Sequence, residues 1–335
     1  MRNKYKENMF SIITPTYNRV HTLQRAYESL KVQTYKNFEW IIGDDGSTDE
    51  TEILINNLKN KAYFPIIYFK FEHRGKAETI REIYYKTDGD YIFSLDSDDE
   101  LYNEKVLENM NEKINSLDIN KNFWGICGCY IDQYDNLISK FDSHYIDITK
   151  DNYFDMWIKN PSILNIKWIH KKGYFKLYDH SNVKDNLPYY PEVIDYMRNV
   201  AESEDYCYRL FNEPFYRYHT YNEDSVTVNG VKTPVFWYEC VEMINLFYKH
   251  KLEKKYKKFL NTKFDILATK LYKLKGFFNT VKSLNHTNSK IKFILKFFKL
   301  NILKFFFLLI IDKERTTFFI LGLKISIKNQ IRSSI

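Results

Sequence analysis

Through its first hundred residues the chain alternates short, nearly continuous apolar runs with stretches whose apolar positions recur at helical spacing. Phe10 to Thr14 reads as a strand stopping at Pro15, and Val20 to Val32 as a helix with Leu23, Ala26, Tyr27 and Leu30 on one face. Phe38 to Gly43, Ile66 to Phe71 and Tyr91 to Leu95 repeat the strand pattern, with helices predicted from Glu50 to Asn60 and from Lys76 to Lys86 between them. Strands apolar on both faces, separated by helices of ten to fifteen residues, imply an α/β fold with a mostly parallel central sheet flanked by helices.

Asn103 to Ser116 then reads as a helix, Phe123 to Tyr130 as a strand and Asp132 to Ile138 as a hairpin turn. Residues 141 to 200 are aromatic-rich without a clear period, and no strands are assigned there. In AESEDYCYRLF, Ala201 to Phe211, the acids Glu202, Glu204 and Asp205 precede a predicted helix carrying Tyr208, Leu210 and Phe211. Helical patterns return from Trp237 to His250 and from Leu252 to Lys275, and Ile291 to Ile311 combines Phe and Leu with Lys292, Lys296 and Lys299 near one face. The uninterrupted apolar part of that last segment, Phe305 to Ile311, is far short of the roughly 20 residues a bilayer span needs. It suits a basic amphipathic helix lying in a membrane interface; the alternative is a helix that caps the body or a second subunit.

Charge sharpens that division. From Lys249 to Ile335 there are 21 Lys and Arg against 4 Asp and Glu, a net +17, whereas residues 1–248 hold 29 against 39, a net −10. An acidic body with a basic tail points to an anionic partner for the tail, lipid or nucleic acid. Lysines mixed with bulky aliphatics, rather than with exposed aromatic platforms, favour lipid. Aromatics make up 18% of the residues, which excludes a disordered chain. Cys127, Cys129, Cys207 and Cys240 lack zinc-site spacing and read as reduced thiols of a cytosolic protein. The opening MRNKYKENMFSIITP has no apolar signal-peptide core, so a cytoplasmic location is expected.

The candidate chemistry sits at two strand ends. Asp44-Asp45 follows the second strand, and Asp96-Ser97-Asp98-Asp99 the fourth. Crowded carboxylates repel unless a cation joins them, and their hard oxygens suit Mg²⁺ or Mn²⁺, which commonly bind through one or two carboxylates plus substrate phosphates. Ligands of open α/β sheets bind at these carboxyl ends. Taken alone, the second cluster reads equally well as a solvated acidic turn capping the next helix.

Three stretches together, SIITPTYNR, EWIIGDDGSTDET and GKAETIREIYYKTDGDYIFSLDSDDEL, resemble the nucleotide-binding half of inverting family 2 glycosyltransferases of the GT-A fold, as found in bacterial surface-polysaccharide synthesis. The resemblance covers residues 9–103 closely and 120–228 more loosely. It implies a glycosyltransferase domain over 1–232, with 9–103 as nucleotide-binding half and 120–228 as acceptor and catalytic half, followed by a helical basic extension over 233–335. It also implies that Pro15 and Tyr17 cradle the nucleotide with Tyr17 stacking on the base, and that Asp45 accepts from the uracil imide. Asp96 then approaches the ribose with Ser97 beside it, and Asp98 holds a metal, Mn²⁺ or Mg²⁺, on the diphosphate. Lys76 joins the nucleotide-binding residues, although Ala77, Glu78 and Thr79 replace the family's Ala-Arg-Asn pattern after it.

By the same resemblance Asp205, with Glu204 second, supplies the catalytic base; a first-turn acidic run complementing a helix dipole is the plain alternative. His219 lies where some metal-dependent relatives place a residue near the diphosphate, though a lone His among aromatics is commonly just hydrogen-bonded. The end, TTFFILGLKISIKN, resembles a terminal motif of surface-polysaccharide glycosyltransferases. The expected function is metal-dependent, inverting transfer of a hexose or N-acetylhexosamine from a UDP-sugar to a hydroxyl of a surface glycan such as lipooligosaccharide or capsule. A glycan or lipid-linked glycan acceptor, the cytoplasmic face of the membrane and a second copy of the chain are the expected partners, and nucleic acid is not. Two alternatives stand: a nucleotidyltransferase, disfavoured by the missing Gly-rich basic loop after the first strand, and a non-catalytic protein binding nucleic acid or anionic surfaces.

Overall fold

The computed structural model describes residues 6–139, 141–159, 166–177, 192–219, 234–270, 289–290, 292–293, 315–320 and 323–328. The chain divides into two compact units, Met1–Glu239 and Cys240–Ile335.

In the first unit, β1 (Phe10–Thr16), α1 (Leu23–Lys31), β2 (Phe38–Asp44), α2 (Thr51–Lys61), β3 (Ile66–Lys70), α3 (Lys76–Tyr84) and β4 (Tyr91–Ser94) follow one another as expected. There follow β5 (Glu100–Leu101), α4 (Val106–Asn115), β6 (Gly125–Asp132), β7 (Tyr145–Thr149), α5 (Lys150–Lys159), β8 (Ile166–Lys171), α6 (Glu192–Glu202) and β9 (Cys207–Tyr218). All nine strands join one sheet in the order β3-β2-β1-β4-β8-β6-β9-β5, with β7 also on β9.

The apolar runs are explained by burial on both faces. Phe10, Ile12, Trp40, Ile42 and Phe93 meet Leu23, Tyr27, Ile55, Leu107 and Met110 of α1, α2 and α4. Their neighbours Ile13, Ile41 and Ile92 point the other way onto Ala77, Ile80 and Ile83 of α3. Successive strand residues face opposite sides, so a strand sandwiched between helix layers needs apolar residues at every position.

The central sheet is mostly parallel as expected: β1–β4, β6 and β9 share one direction, and β5, β7 and β8 run antiparallel to their neighbours. One expectation needs correction. The segment after Asp205 is a strand, not a helix. Tyr208 and Leu210 are buried while Cys207 and Arg209 are half-buried, the period of two that a strand requires. At Gly128 of β6 an added Cβ would stand 2.1 Å from the Phe215 ring of β9, so only glycine lets these strands pack. The extension holds a strand pair as well as its helices.

α7 (Pro234–Lys249) spans the division between the units, and α8 (Lys257–Lys270) follows a turn in which Lys251 adopts φ 57°. β10 (Arg315–Ile320) and β11 (Leu323–Lys328) form an antiparallel hairpin. The amphipathic helix expected over 291–311 lies outside the described residues apart from Lys292 and Phe293. Among the described residues no helix is long and apolar enough to cross a membrane, and Cys127, Cys129 and Cys207 are free thiols.

Candidate active site

β1 lies between β2 and β4, so the turns leaving these three parallel strands open at one edge of the sheet. Asn18, at φ 51°, ties the first two together: its Oδ1 accepts from Thr48 N at 2.8 Å, and its own N donates to Ser47 Oγ at 2.9 Å. The paired acids after β2 have different work. Asp44 accepts from Ser47 N and the Tyr68 hydroxyl, each at 2.7 Å, and so shapes the turn from within.

Asp45, 4% exposed, faces the start of α3. Its carboxylate accepts from Arg74 N at 2.9 Å, Gly75 N at 3.0 Å and Thr79 Oγ1 at 3.0 Å, and His73 Nδ1 lies 2.9 Å from Oδ2. Gly75 makes this possible by standing at φ 96°, a conformation that disfavours other residues. The His73 ring also stacks on Tyr17, centroids 4.4 Å apart and planes 26° apart. Tyr17 is 41% exposed, presenting an aromatic face beside a buried carboxylate. His73 is absent from the sequence-derived set, because nothing in its neighbourhood signals that it crosses to Tyr17.

The turn after β4 is held from several directions. Arg25 of α1 donates to the Asp98 carbonyl at 2.8 Å. Lys76 Nζ lies 2.8 Å from Asp96 Oδ1. Ser97 is buried within the turn. Tyr216 of β9 accepts from Asp96 N at 3.0 Å and donates to Asp99 Oδ2 at 2.8 Å, while His219 N donates to Asp99 Oδ1 at 2.9 Å. Burial would raise the Asp96 carboxyl, but the charges of Lys76 and Lys167 hold it down to about 2. Asp99 goes the opposite way: burial first, then the charges of Asp96 and Asp98, push its carboxyl well above the ordinary range. Two acids of one turn are thus pushed in opposite directions by their surroundings.

Lys167 is the second residue that sequence reading missed. It belongs to β8, in the stretch to which no strand was assigned, and it is 4% exposed. Its Nζ lies 3.9 Å from the Tyr216 ring centroid and 3.4 Å from Ser94 Oγ.

The structure thus gathers Pro15, Tyr17, Asp45, Lys76, Asp96, Ser97 and Asp98 at neighbouring strand ends, with His219 beside Asp99. It does not gather Asp205 and Glu204. Tyr208 is in register with Gly125, Gly125 with His170 and His170 with Ile92, so β9 begins level with the start of β4. Asp205 precedes even that point, whereas Tyr216 is in register with Tyr130, five β6 residues beyond Gly125 and so about 16 Å further along at about 3.3 Å per residue. It is exposed and accepts from Asn122 Nδ2 at 2.5 Å; Glu204 is 93% exposed and pairs with Lys150 at 2.6 Å. Asp205 and Glu204, given the base role by resemblance, therefore do not share an edge with the Asp96–Asp99 turn.

His219 places Nε2 3.2 Å from Glu100, which Arg217 also contacts at 3.0 Å. Burial lowers the His219 pKa, with the Arg25 charge adding to that, so the neutral ring prevails. Among the described residues no three potential ligands cluster tightly enough to cage a metal.

The sheet thus brings an aromatic face, buried carboxylates and two ammonium groups to the ends of its parallel strands, where open α/β sheets bind ligands. Comparison gives the family of that domain: residues 11–172, just under half of the chain, match the family model described as Glycosyl transferase family 2, and the fold is that of GT-A glycosyltransferases. An uncharacterised glycosyltransferase of Haemophilus influenzae is 29% identical over 199 residues, covering 57% of this chain and 79% of that protein. The Campylobacter jejuni GalNAc(5)-diNAcBac-PP-undecaprenol beta-1,3-glucosyltransferase is 25% identical over 230 residues, covering 66% and 68%. Two further glycosyltransferase relatives are spanned over only 16% of their length. Among solved structures, Staphylococcus aureus TarS 1–349 in complex with UDP-GlcNAc superposes with TM-score 0.58 at 14% identity, covering 96% of this chain and 97% of that one.

Proposed function

We propose that this glycosyltransferase moves a hexose or N-acetylhexosamine from a UDP-sugar to a hydroxyl of a bacterial surface glycan, with inversion. The observation that carries the donor half is the meeting of Tyr17, Asp45, Lys76 and Asp96 at adjacent strand ends. Tyr17 offers a stacking face for the base, Asp45 an acceptor for its imide, and anionic Asp96 an acceptor for ribose hydroxyls. UDP-GlcNAc in the TarS complex and the lipid-linked glycan named for the Campylobacter enzyme support the substrate classes.

The donor set fits Mg²⁺ or Mn²⁺ held by Asp98. Arg25 fixes that residue's carbonyl, and a single hard carboxylate completed by diphosphate oxygens and water is ordinary for these ions. Such an ion would neutralise negative charge on the departing diphosphate. His219, engaged with Glu100, is left out of the ligand set.

Inversion requires a base on the acceptor side. α6 runs down toward the start of β9: Tyr196 lies against Trp168 and His170, and one turn later Asn199 bonds the backbone of Lys176, beyond the end of β8. Its first residue, Glu192, therefore stands toward the edge where Asp96–Asp99 turn, and we assign the base to it in place of Asp205. The carboxylate takes the acceptor hydroxyl proton as that oxygen bonds to the anomeric carbon, and the bond to the diphosphate breaks with its electron pair leaving on UDP. The basic second unit suits the cytoplasmic face of a membrane carrying a lipid-linked acceptor. Incubating the protein with UDP-glucose, UDP-GlcNAc, GDP-mannose and CMP-sialic acid in Mn²⁺ tests the donor: hydrolysis confined to UDP-sugars is expected, and hydrolysis only of another nucleotide sugar rejects it.

A further inference from the structure

Lysine is rarely buried because stripping water from an ammonium is costly, and among the described residues Lys167 is the one buried lysine or arginine. It sits on an interior strand, β8, between β4 and β6, where packing alone favours an apolar side chain. Its ammonium lies against the ring faces of Tyr216, at 3.9 Å, and Tyr130, at 5.7 Å, and near Ser94 Oγ at the end of β4. Tyr216 in turn holds both ends of the Asp96–Asp99 turn through its hydroxyl.

We propose that Lys167 is a fixed cation of the donor site, placed under the Asp96–Asp99 turn to attract the diphosphate of the nucleotide. The inference rests on the UDP-sugar reading and deepens it. A buried charge is screened little by salt or water, so its field reaches several ångströms to a ligand it does not touch. Lys76 supplies the complementary charge from the α3 side, at the opposite flank of Asp96. The two ammonium groups come from sequence positions 91 residues apart, which is why only the fold pairs them.

The test compares UDP with uridine, which lacks the diphosphate, by calorimetric titration in Mg²⁺. Lys167→Met keeps the length and apolar stem and removes the charge. UDP affinity is expected to fall about tenfold while uridine affinity stays within about twofold, and Lys167→Arg to retain most UDP affinity. The thermal midpoint of Lys167→Met is expected to fall, since its charge helps hold the Asp96 carboxylate and removing one partner of a buried charge interaction costs stability, so the comparison is read between UDP and uridine on protein that is still folded. UDP binding unchanged in Lys167→Met overturns the proposal and leaves the donor reading intact. Parallel loss of UDP and uridine binding assigns Lys167 to the core instead, and also overturns it. A wild-type protein that does not bind UDP removes the donor reading itself.

Discussion

Asn122 and Asp205 are hydrogen-bonded at 2.5 Å at the foot of β6 and β9, the end of the sheet remote from the Asp96–Asp99 turn. That contact turns a catalytic assignment into a surface one. Asp205→Asn should leave transfer within about twofold, whereas Glu192→Gln should suppress it by about 10² or more, the scale of general acid–base work. Both variants should bind UDP normally. Turnover measured side by side decides the matter, and a dead Asp205→Asn with active Glu192→Gln would restore the original assignment.

Asp98→Ala should abolish transfer that Mn²⁺ or Mg²⁺ supports, while the bond from Arg25 to the backbone carbonyl at position 98 is kept. Chelation of wild-type protein should reproduce the loss, and added metal should reverse it. Full turnover in the variant would remove Asp98 from the metal.

Tyr17→Ala should weaken UDP binding by roughly 1–3 kcal/mol, the range for a base stacked on an aromatic ring. The stack with His73 lies at the surface, so folding should be spared. Asp45→Asn should do more damage: the start of α3 loses a charged acceptor for two backbone N–H groups and Thr79. Thermal melts should separate these two variants even where titrations with UDP do not.

His170 supplies a pH test. Burial, with a smaller push from Lys167, lowers its pKa to about 3, and its ring nitrogens meet the Tyr208 hydroxyl at 2.7 Å and the Tyr196 hydroxyl at 3.2 Å. The unfolded chain binds this proton below about pH 6.5 while the folded chain refuses it down to about 3, so stability is lost as pH falls through that window. The group contributes up to about 1.4 kcal/mol per pH unit. His170→Gln should flatten the acid limb of melting temperature against pH while lowering stability at pH 7; an unaltered acid limb would show that other groups control it.

Much of the first half was legible because its signals are local. Phe10–Thr16, Phe38–Asp44 and Tyr91–Ser94 announce themselves by unbroken apolar runs, and the acids at their ends are adjacent in sequence. Even there the two acids of Asp44-Asp45 could not be told apart by composition. One turns inward to Tyr68 and the other toward α3, a difference made by residues 24 to 34 positions away.

The second half resisted for the converse reason. Cys207–Tyr218 has an apolar pattern that helix and strand can both use over a short span, and its state follows from pairing with β6, β7 and β5. Which end of a strand a neighbouring acid occupies is decided by chain direction in the sheet, so Asp205 stands at the foot of β9, away from the Asp96–Asp99 turn. Lys167 and His73 carry no local mark at all.

By itself, then, the order of residues determined an α/β body, acidic strand ends and a basic tail, since these depend on side-chain period and neighbouring charge. The tertiary structure alone decided which acid stays anionic, which cations flank it and which carboxylates share an edge. Those depend on burial and on contacts between residues about a hundred positions apart, such as Tyr216 with Asp99, and no local pattern encodes them.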